Sequence, residues 1–541
     1  MKYSWLLLFC ALAPSLLAQN GDKPGETQEA SPIHAPPAPV LTAEQALKSF
    51  QLQPGFRIEF VASEPMIQAP VEIEFDPDGR LYVLEMRDFM RTADGDGDGD
   101  GPHHGRVSVL EDTDGDGRMD KSTVFVDDLL MPRAIAVVRG GLLVAEPPHL
   151  WFFQDTDGDG KADKKEEVSS DYGNQSNPEH NANGLLWARD NWIYSANHPL
   201  RYRNINGYWE KGVIQVRGQW GITEDDYGRL FFNSNSDQFR GDLVAGGYLL
   251  RNTNFKAPFG ANVQLARDQS TFPVRVNPGV NRGYQKGTLR VDGTLAQFTA
   301  ACAPCIYRGE LFPTNFYGAA FVCEPAANLV RCNFLSEMDG MVTATNAFRN
   351  AEFLASKDER FRPVNLLNGP DGALYIVDMY HGIIQHKIYL TTYLRAQALS
   401  RHLEAPVDNG RIYRVLPVGR KRRAAPRLNS LSGPELVAQL RSRNGWTRDT
   451  AQQLLVEKRD FQSIEPLQDL AAAGEYPASI HALWALNAIG EINADLILRA
   501  LSSPHPKVRA TAVRVSEAFL RAEGKNELGE KIISMAKDPE T

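Results

Sequence analysis

Between residues 56 and 415 apolar and polar positions alternate in short runs, and the runs come in pairs split by a turn. The pairs read VEIEFDPDGRLYVLE (71–85), RAIAVVRGGLLVAE (133–146), NGLLWARDNWIYSAN (183–197) and WGITEDDYGRLFFNSN (220–235). Two more are IYRGELFPTNFYGAAFVCE (306–324), a degenerate copy, and VNLLNGPDGALYIVD (364–378). A period of two, rich in β-branched and aromatic side chains, predicts half-buried strands. Asp-Gly, Gly-Gly and Asp-Asn at the turns supply the positive φ that tight hairpins need. Six such units predict radial repetition of one small sheet: an all-β six-bladed β-propeller over residues 42–417. Stacked sandwiches are the competing arrangement. The first strand (FRIEFV, 56–61) and the last (GRIYRV, 410–415) are placed to pair and close the ring.

The period changes beyond Pro417. A basic run, Arg420 to Arg423, reads as a solvated linker over 418–428. From Leu431 apolar residues recur at three- and four-residue spacing, as in IHALWALNAIG (480–490) and HPKVRATAVRVSEAFL (505–520). These short amphipathic helices predict a small all-α HEAT-like helical repeat domain over 429–541, whose surface is a candidate site for a protein partner. At the other end Lys2, the apolar run Leu6–Leu17 and Ala18 read as a signal peptide (1–18), with an uncleaved anchor as the alternative. The run is shorter than the ~20 apolar residues of a membrane span. The expected location is periplasmic or secreted. Residues 19–41 are polar and proline-rich and read as a disordered linker. Thr42 to Phe50 reads as a short helix with Thr42 as N-cap and Gln45 three residues on.

With 541 residues, 43% hydrophobic and 23% charged, composition excludes wholesale disorder, a collagen-like chain and a polytopic membrane protein. A net charge of −9 without a basic face argues against a nucleic-acid partner. Two acidic loops point to calcium. Asp155, Asp157, Asp159 and Asp163 stand at positions one, three, five and nine of an EF-hand-like loop, with Gly160 at six and Glu166 at twelve. Asp112, Asp114, Asp116 and Asp120 repeat the spacing, but Thr123 at position twelve removes the bidentate ligand. Both loops fall between strands, so they read as calcium-stapled hairpins. A third acidic run, DGDGDGDG (94–101), reads as a flexible loop. Beyond the signal stretch stand Cys302, Cys305, Cys323 and Cys332, whose three possible pairings remain open. Cys302 and Cys305 form a C-x-x-C followed by Ile306, where attachment of a c-type haem requires histidine.

NPEHNANGLLWARDNWIYSANHP (177–199) resembles the catalytic-histidine segment of the glucose/sorbosone dehydrogenase family, six-bladed propellers that use pyrroloquinoline quinone (PQQ) and calcium. DERFRPVNLLNGPDGALYIVDMY (358–380) resembles the late Arg-x-Arg segment of that family. Residues 50–417 as a whole are most similar to the exported proteins of planctomycetes and their relatives called membrane-bound dehydrogenases. Those often continue into HEAT repeats and a cytochrome domain. The resemblance implies a PQQ- and calcium-dependent dehydrogenase that oxidises a sugar or polyol-like alcohol. Electrons would pass to a c-type cytochrome on a partner. His180 matches the general base. Arg217, Arg360 and Arg362 match the quinone-binding arginines, and Arg133 is a further candidate. Ser236 and Asp237 fall where the family holds its catalytic calcium. On a strand, Arg360 and Arg362 would share a face while Phe361 turned to the core. Two departures stand out: 323–326 (CEPA) holds no lysine where the family contacts the quinone, and Gly218 replaces an asparagine. These departures favour the alternative, a non-catalytic calcium-stabilised module binding carbohydrate or protein.

Overall fold

The computed structural model describes residues 21–28, 33–95, 103–252, 254, 260–520 and 527–540. The signal stretch and most of the third acidic run lie outside these residues.

Six sheets stand around a channel. Blade 1 is Pro70–Phe75, Leu81–Glu85, Gly105–Glu111 and Lys121–Leu129; blade 2 is Ala134–Val138, Gly141–Glu146, His149–Gln154 and Lys164–Ser169. Blade 3 is Asn183–Trp187, Ile193–Ala196, Leu200–Ile205 and Tyr208–Val213; blade 4 is Thr223–Glu224, Leu230–Ser234, Asp237–Gly241 and Val263–Gln264. Blade 5 begins with Cys302–Ile306, Ala320–Glu324 and Leu329–Met338, and blade 6 with Pro363–Asn368, Leu374–Asp378 and Arg411–Pro417. The predicted repeats are the two inner strands of each blade. Where the hairpin is tight its chemistry repeats: in DPDGR the Asp76 Oδ1 accepts from the backbone N–H of Asp78 and Arg80, and in DDYGR Asp225 does the same for Tyr227 and Arg229. Gly79 and Gly228 sit there at φ +86° and +83°, where a side chain would be strained.

The ring closes as expected. Phe56–Ser63 is the outer strand of blade 6, antiparallel to Arg411–Pro417 with Ile58 opposite Val415. The degenerate copy differs: its two strands are joined by residues 307–319, with Thr314–Phe316 a 3-10 turn, so its long connection hid the repeat. Blade 5 also gains an unforeseen strand, Phe50–Leu52, which pairs with Leu354–Ser356. Ala43–Leu47 is the predicted helix, with the Thr42/Gln45 capping box formed. Part of the segment read as a disordered linker is held in place: Gly21 N–H donates to Leu390 O, and Asp22 accepts from Thr392. Those partners, Leu390 and the helix start at Thr392, lie some 370 residues away in sequence, which composition does not register.

Beyond the propeller, Gly433–Gln439, Gly445–Lys458, Ile464–Ala473, Ala478–Ile489, Ala494–Ala500 and Pro506–Val515 pack as consecutive helices. They close one end of the channel: Trp446 and Asp449 line it together with Glu72, Glu74, Thr223, Ile306 and Asn365 of the inner strands. The junction is a buried charge cluster. Asp449 pairs with Arg189 (2.7 Å) and Arg308 (2.5 Å); Asp226 pairs with Arg308 (2.6 Å) and Arg448 (2.5 Å). The basic linker adds two surface ties, Arg422 to Asp112 and Arg423 to Glu310. Among the described residues no helix is long and apolar enough to cross a membrane.

Candidate active site at the open mouth of the propeller

The end of the channel away from the helices is a small pocket of about 100 Å³. Its wall takes Val71, Glu179, Cys302 and Val364 from the segments that open the inner strands, and Phe89, Asn235 and Gln385 from neighbouring loops. Trp220 is its floor. The indole Nε1 of this blade-4 residue donates to Val364 O of blade 6 at 3.2 Å, so the ring reaches past blade 5. Gly221, Ala303 and Asn365, the next residues along these strands, line the inner channel instead.

His180 stands at the edge of this pocket, half-buried. Asn177 Oδ1 accepts from the N–H of Glu179 and of His180 (3.2 Å each), a turn that presents the imidazole. Asn177 also donates to Tyr389 Oη at 2.6 Å, and the Tyr389 ring lies 5.2 Å from the histidine. Gln219 Nε2 and Asn235 Nδ2 approach His180 Nε2 at 3.2 and 3.5 Å. Gln219 Oε1 accepts the Asn235 N–H at 3.0 Å, which fixes the amide and aims its NH2 group at the ring. An amide NH2 only donates, so His180 Nε2 is the acceptor and the ring proton sits on Nδ1. Burial lowers the histidine pKa below its ordinary value, which favours the free base at neutral pH. Beside it, burial pushes the Glu179 carboxyl up to about 7, although it accepts from the His386 N–H.

The arginines lie elsewhere. Arg360 belongs to the turn before blade 6, where Asp358 Oδ1 accepts its N–H at 3.0 Å, and not to a strand as alternation suggested. Phe361 does point into the core, edge-on to Phe50 at 4.9 Å. Arg360 donates to the carbonyls of Ala38 and His402, and Arg362 to those of His381, Pro325 and Gly382. Burial without a bonded carboxylate lowers the pKa of Arg362 to about 10. Pro325 lies in the CEPA segment that lacks the expected lysine. Arg217 forms an ion pair with Asp242 at 3.0 Å and lines a different cleft, between blades 3 and 4. Arg133 is buried, with Nη1 on Asn174 O at 3.3 Å. Among the described residues lining the mouth there is no lysine or arginine. A quinone with three carboxylates therefore finds no cation there. The residues present do not fit PQQ.

Ser236 is exposed in a turn, and the Asp237 carboxylate is bonded to Arg240. A cation thus already satisfies the carboxylate expected at a catalytic calcium. The two acidic loops do gather oxygens: Asp112, Asp114 and Asp116 form one cluster and Asp155, Asp157 and Asp159 another, each within 4.8 Å. Asp120 and Asp163 stand outside these clusters and bond Thr113 and Thr156. Glu166 lies in a strand opposite Phe152 and is not in the cluster either. Asp155 accepts from Gly158 and Gly160, the compact turn that the glycines allow. Three clustered carboxylates suit a hard cation, and in the first loop Arg422 already leans on Asp112 at 3.2 Å. Gln219, Asn235 and Tyr389 were not singled out from sequence; they lie 39, 55 and 209 residues from His180, and no local motif marks them.

No curated protein matches the chain. Solved structures of similar outline include the PQQ domain of pyranose dehydrogenase from Coprinopsis cinerea, 13% identical over 68% of this chain and 97% of that one, with a TM-score of 0.37. Another is an oxidoreductase (glucose dehydrogenase) from Thermus thermophilus, 13% identical over 67% and 100%, TM-score 0.35. A third is virginiamycin B lyase from Staphylococcus aureus, 10% identical over 68% and 100%, TM-score 0.30. Likenesses this remote carry no argument about chemistry. The model of one family, described as a domain of unknown function (DUF7133), matches residues 42–419, the whole propeller. The chain belongs to the DUF7133 family.

Proposed function

We propose that the protein acts on a neutral, hydroxyl-rich small molecule, a sugar or polyol-like alcohol, whose reacting hydroxyl enters the open mouth and gives its proton to His180. One observation carries this reading: His180 Nε2 stands at the pocket edge in long amide contacts of 3.2 and 3.5 Å, and burial holds the ring pKa below its ordinary value. A hydroxyl is a better donor at that distance and would displace them. Neutral amides (Gln219, Asn235, Gln385) and an aromatic floor (Trp220) suit hydroxyls and sugar faces better than carboxylates. Proton withdrawal by a general base would open alcohol oxidation, with the hydride passing to a two-electron acceptor of the quinone or dye class supplied from solution.

A second reading, a carbohydrate-binding propeller without chemistry, is favoured by the arginines. Arg360 and Arg362 bond backbone carbonyls and Arg217 bonds Asp242, so the cofactor the resemblance implies has no grip at the mouth. A dye-coupled oxidation screen of aldoses and polyols on the full chain separates the two. Under the first reading His180→Asn loses at least about a hundredfold in kcat while ligand binding persists. Binding with no turnover under any acceptor selects the second reading. Neither binding nor turnover sinks both.

A further inference from the structure

Four cysteines are buried in blade 5 and none is cross-linked. Their placement separates them. Cys302, on the inner strand, lies directly opposite Cys323 on the next strand. Opposed residues of an antiparallel pair have Cα atoms about 4.5–5.5 Å apart, inside the window for a disulfide. The Cys302 thiol donates to Pro363 O at 3.8 Å, a contact that a bond to Cys323 would replace. The C-x-x-C crosses a bulge, so Cys302 and Cys305 face different residues of the next strand, Cys323 and Phe321. The register shifts between Cys302 and Cys305, at Ala303 with φ +48°, so Cys305 faces Phe321 and takes a hydrogen bond from Asn368 at 3.6 Å. Cys332 is likewise opposite Phe321, from the other side. Only Cys302 lines the mouth pocket, where it is 7% exposed; Cys323 behind it is fully buried.

We propose that Cys302 and Cys323 are a paired redox site in the wall of the mouth, open to disulfide-class oxidants through the pocket. The Cys302 thiolate attacks one sulfur of an incoming disulfide RSSR; the S–S bond breaks, RS⁻ leaves, and a mixed disulfide forms on Cys302. The Cys323 thiolate then attacks Sγ of Cys302 and releases the second RS⁻. The two cysteines lose two electrons, the incoming disulfide gains them, and the two thiol protons end on the two RSH released. Cys302 is the entry sulfur because it alone meets the pocket, and Cys323 is the resolving sulfur because it alone faces Cys302 across the ladder. Burial raises the Cys323 thiol well above its ordinary pKa, so the second step is slow and gains rate with pH.

The test uses oxidised glutathione on the full chain, followed by denaturation, alkylation and peptide mapping. The expected result is one linked peptide pair, Cys302–Cys323, with Cys305 and Cys332 alkylated. Cys323→Ser should accumulate glutathione on Cys302, and Cys302→Ser should take up none. A link to Cys305 or Cys332, glutathione on Cys323 in Cys302→Ser, or four alkylated cysteines in the parent at millimolar oxidant overturns the proposal. The parent map alone decides the pairing, so a variant that fails to fold does not leave the question open.

Discussion

The charge cluster that seats the helices on the propeller makes a quantitative demand on Asp226. Its Oδ1 accepts from Arg308 Nε at 2.6 Å and Arg448 Nη2 at 2.5 Å, and its Oδ2 accepts from Tyr317 Oη at 2.5 Å. In Asp226→Asn the amide oxygen can keep the arginines while the NH2 group donates to Tyr317, so the hydrogen bonds survive and the charge does not. Arg308 retains Asp449. Arg448, 1% exposed, retains Ser442 O, Tyr317 Oη and His481 Nε2 but no bonded carboxylate. One uncompensated buried cation costs about 3–5 kcal/mol. Asp226→Asn should therefore lower stability by that amount in urea unfolding followed by tryptophan fluorescence. Trp446 sits two residues from Arg448 and reports the junction. Arg448→Met placed on top should recover more than half of the loss, because it removes the stranded charge. The neighbouring arginines hold the Asp226 pKa well below the usual carboxylate range despite its burial. Its contribution is thus present above the unfolded value of about 3.9 and is lost as pH falls below it. A loss under ~1 kcal/mol, or an additive further loss with Arg448→Met, refutes this electrostatic account.

Other perturbations test other parts of the structure. Gln219→Glu replaces the donor at His180 Nε2 with a carboxylate; the histidine pKa should rise by about one unit or more, seen by NMR titration. Burial raises the Glu324 carboxyl to about 8. A raised carboxylate stabilises at low pH and loses that contribution as pH climbs from about 4.3 through 8. Glu324→Gln should remove that alkaline loss, on the order of a few kcal/mol, in urea midpoints at pH 5 and 8.5. Calcium added to chelator-treated protein should raise the melting temperature; Asp157→Asn should abolish most of the shift, and Arg422→Ala should strengthen binding at the Asp112 loop.

The propeller was legible because its determinants are local. Alternation and turn residues such as Asp78-Gly79 and Gly140-Gly141 mark each inner hairpin, and Phe56–Ser63 carried enough of the same pattern to be paired with the last strand. The helical region was legible from its change of period. Its seat was not: Trp446 and Asp449 share the channel end with residues of blades 1 and 3 to 6, a grouping that no window of sequence contains. The same limit governs the site. Spacing placed Arg360 and Arg362 together, but what they bond is decided by the carbonyls of Ala38, Pro325 and His381. His180 was found in a motif, while the amides that set its tautomer come from blade 4. In the calcium-type loops the first three carboxylates cluster as the spacing predicts, whereas Glu166 is committed to the strand ladder.

A calorimetric titration of the full chain with neutral sugars and polyols, run in parallel with PQQ, bears most directly on the open mouth. The geometry predicts one-to-one binding of at least one neutral ligand, weakened about tenfold or more, ~1.4 kcal/mol, by Asn235→Ala, and no PQQ binding at high micromolar concentration. Tight one-to-one PQQ binding that weakens on Arg360→Ala and Arg362→Ala, with no neutral ligand bound, would contradict it.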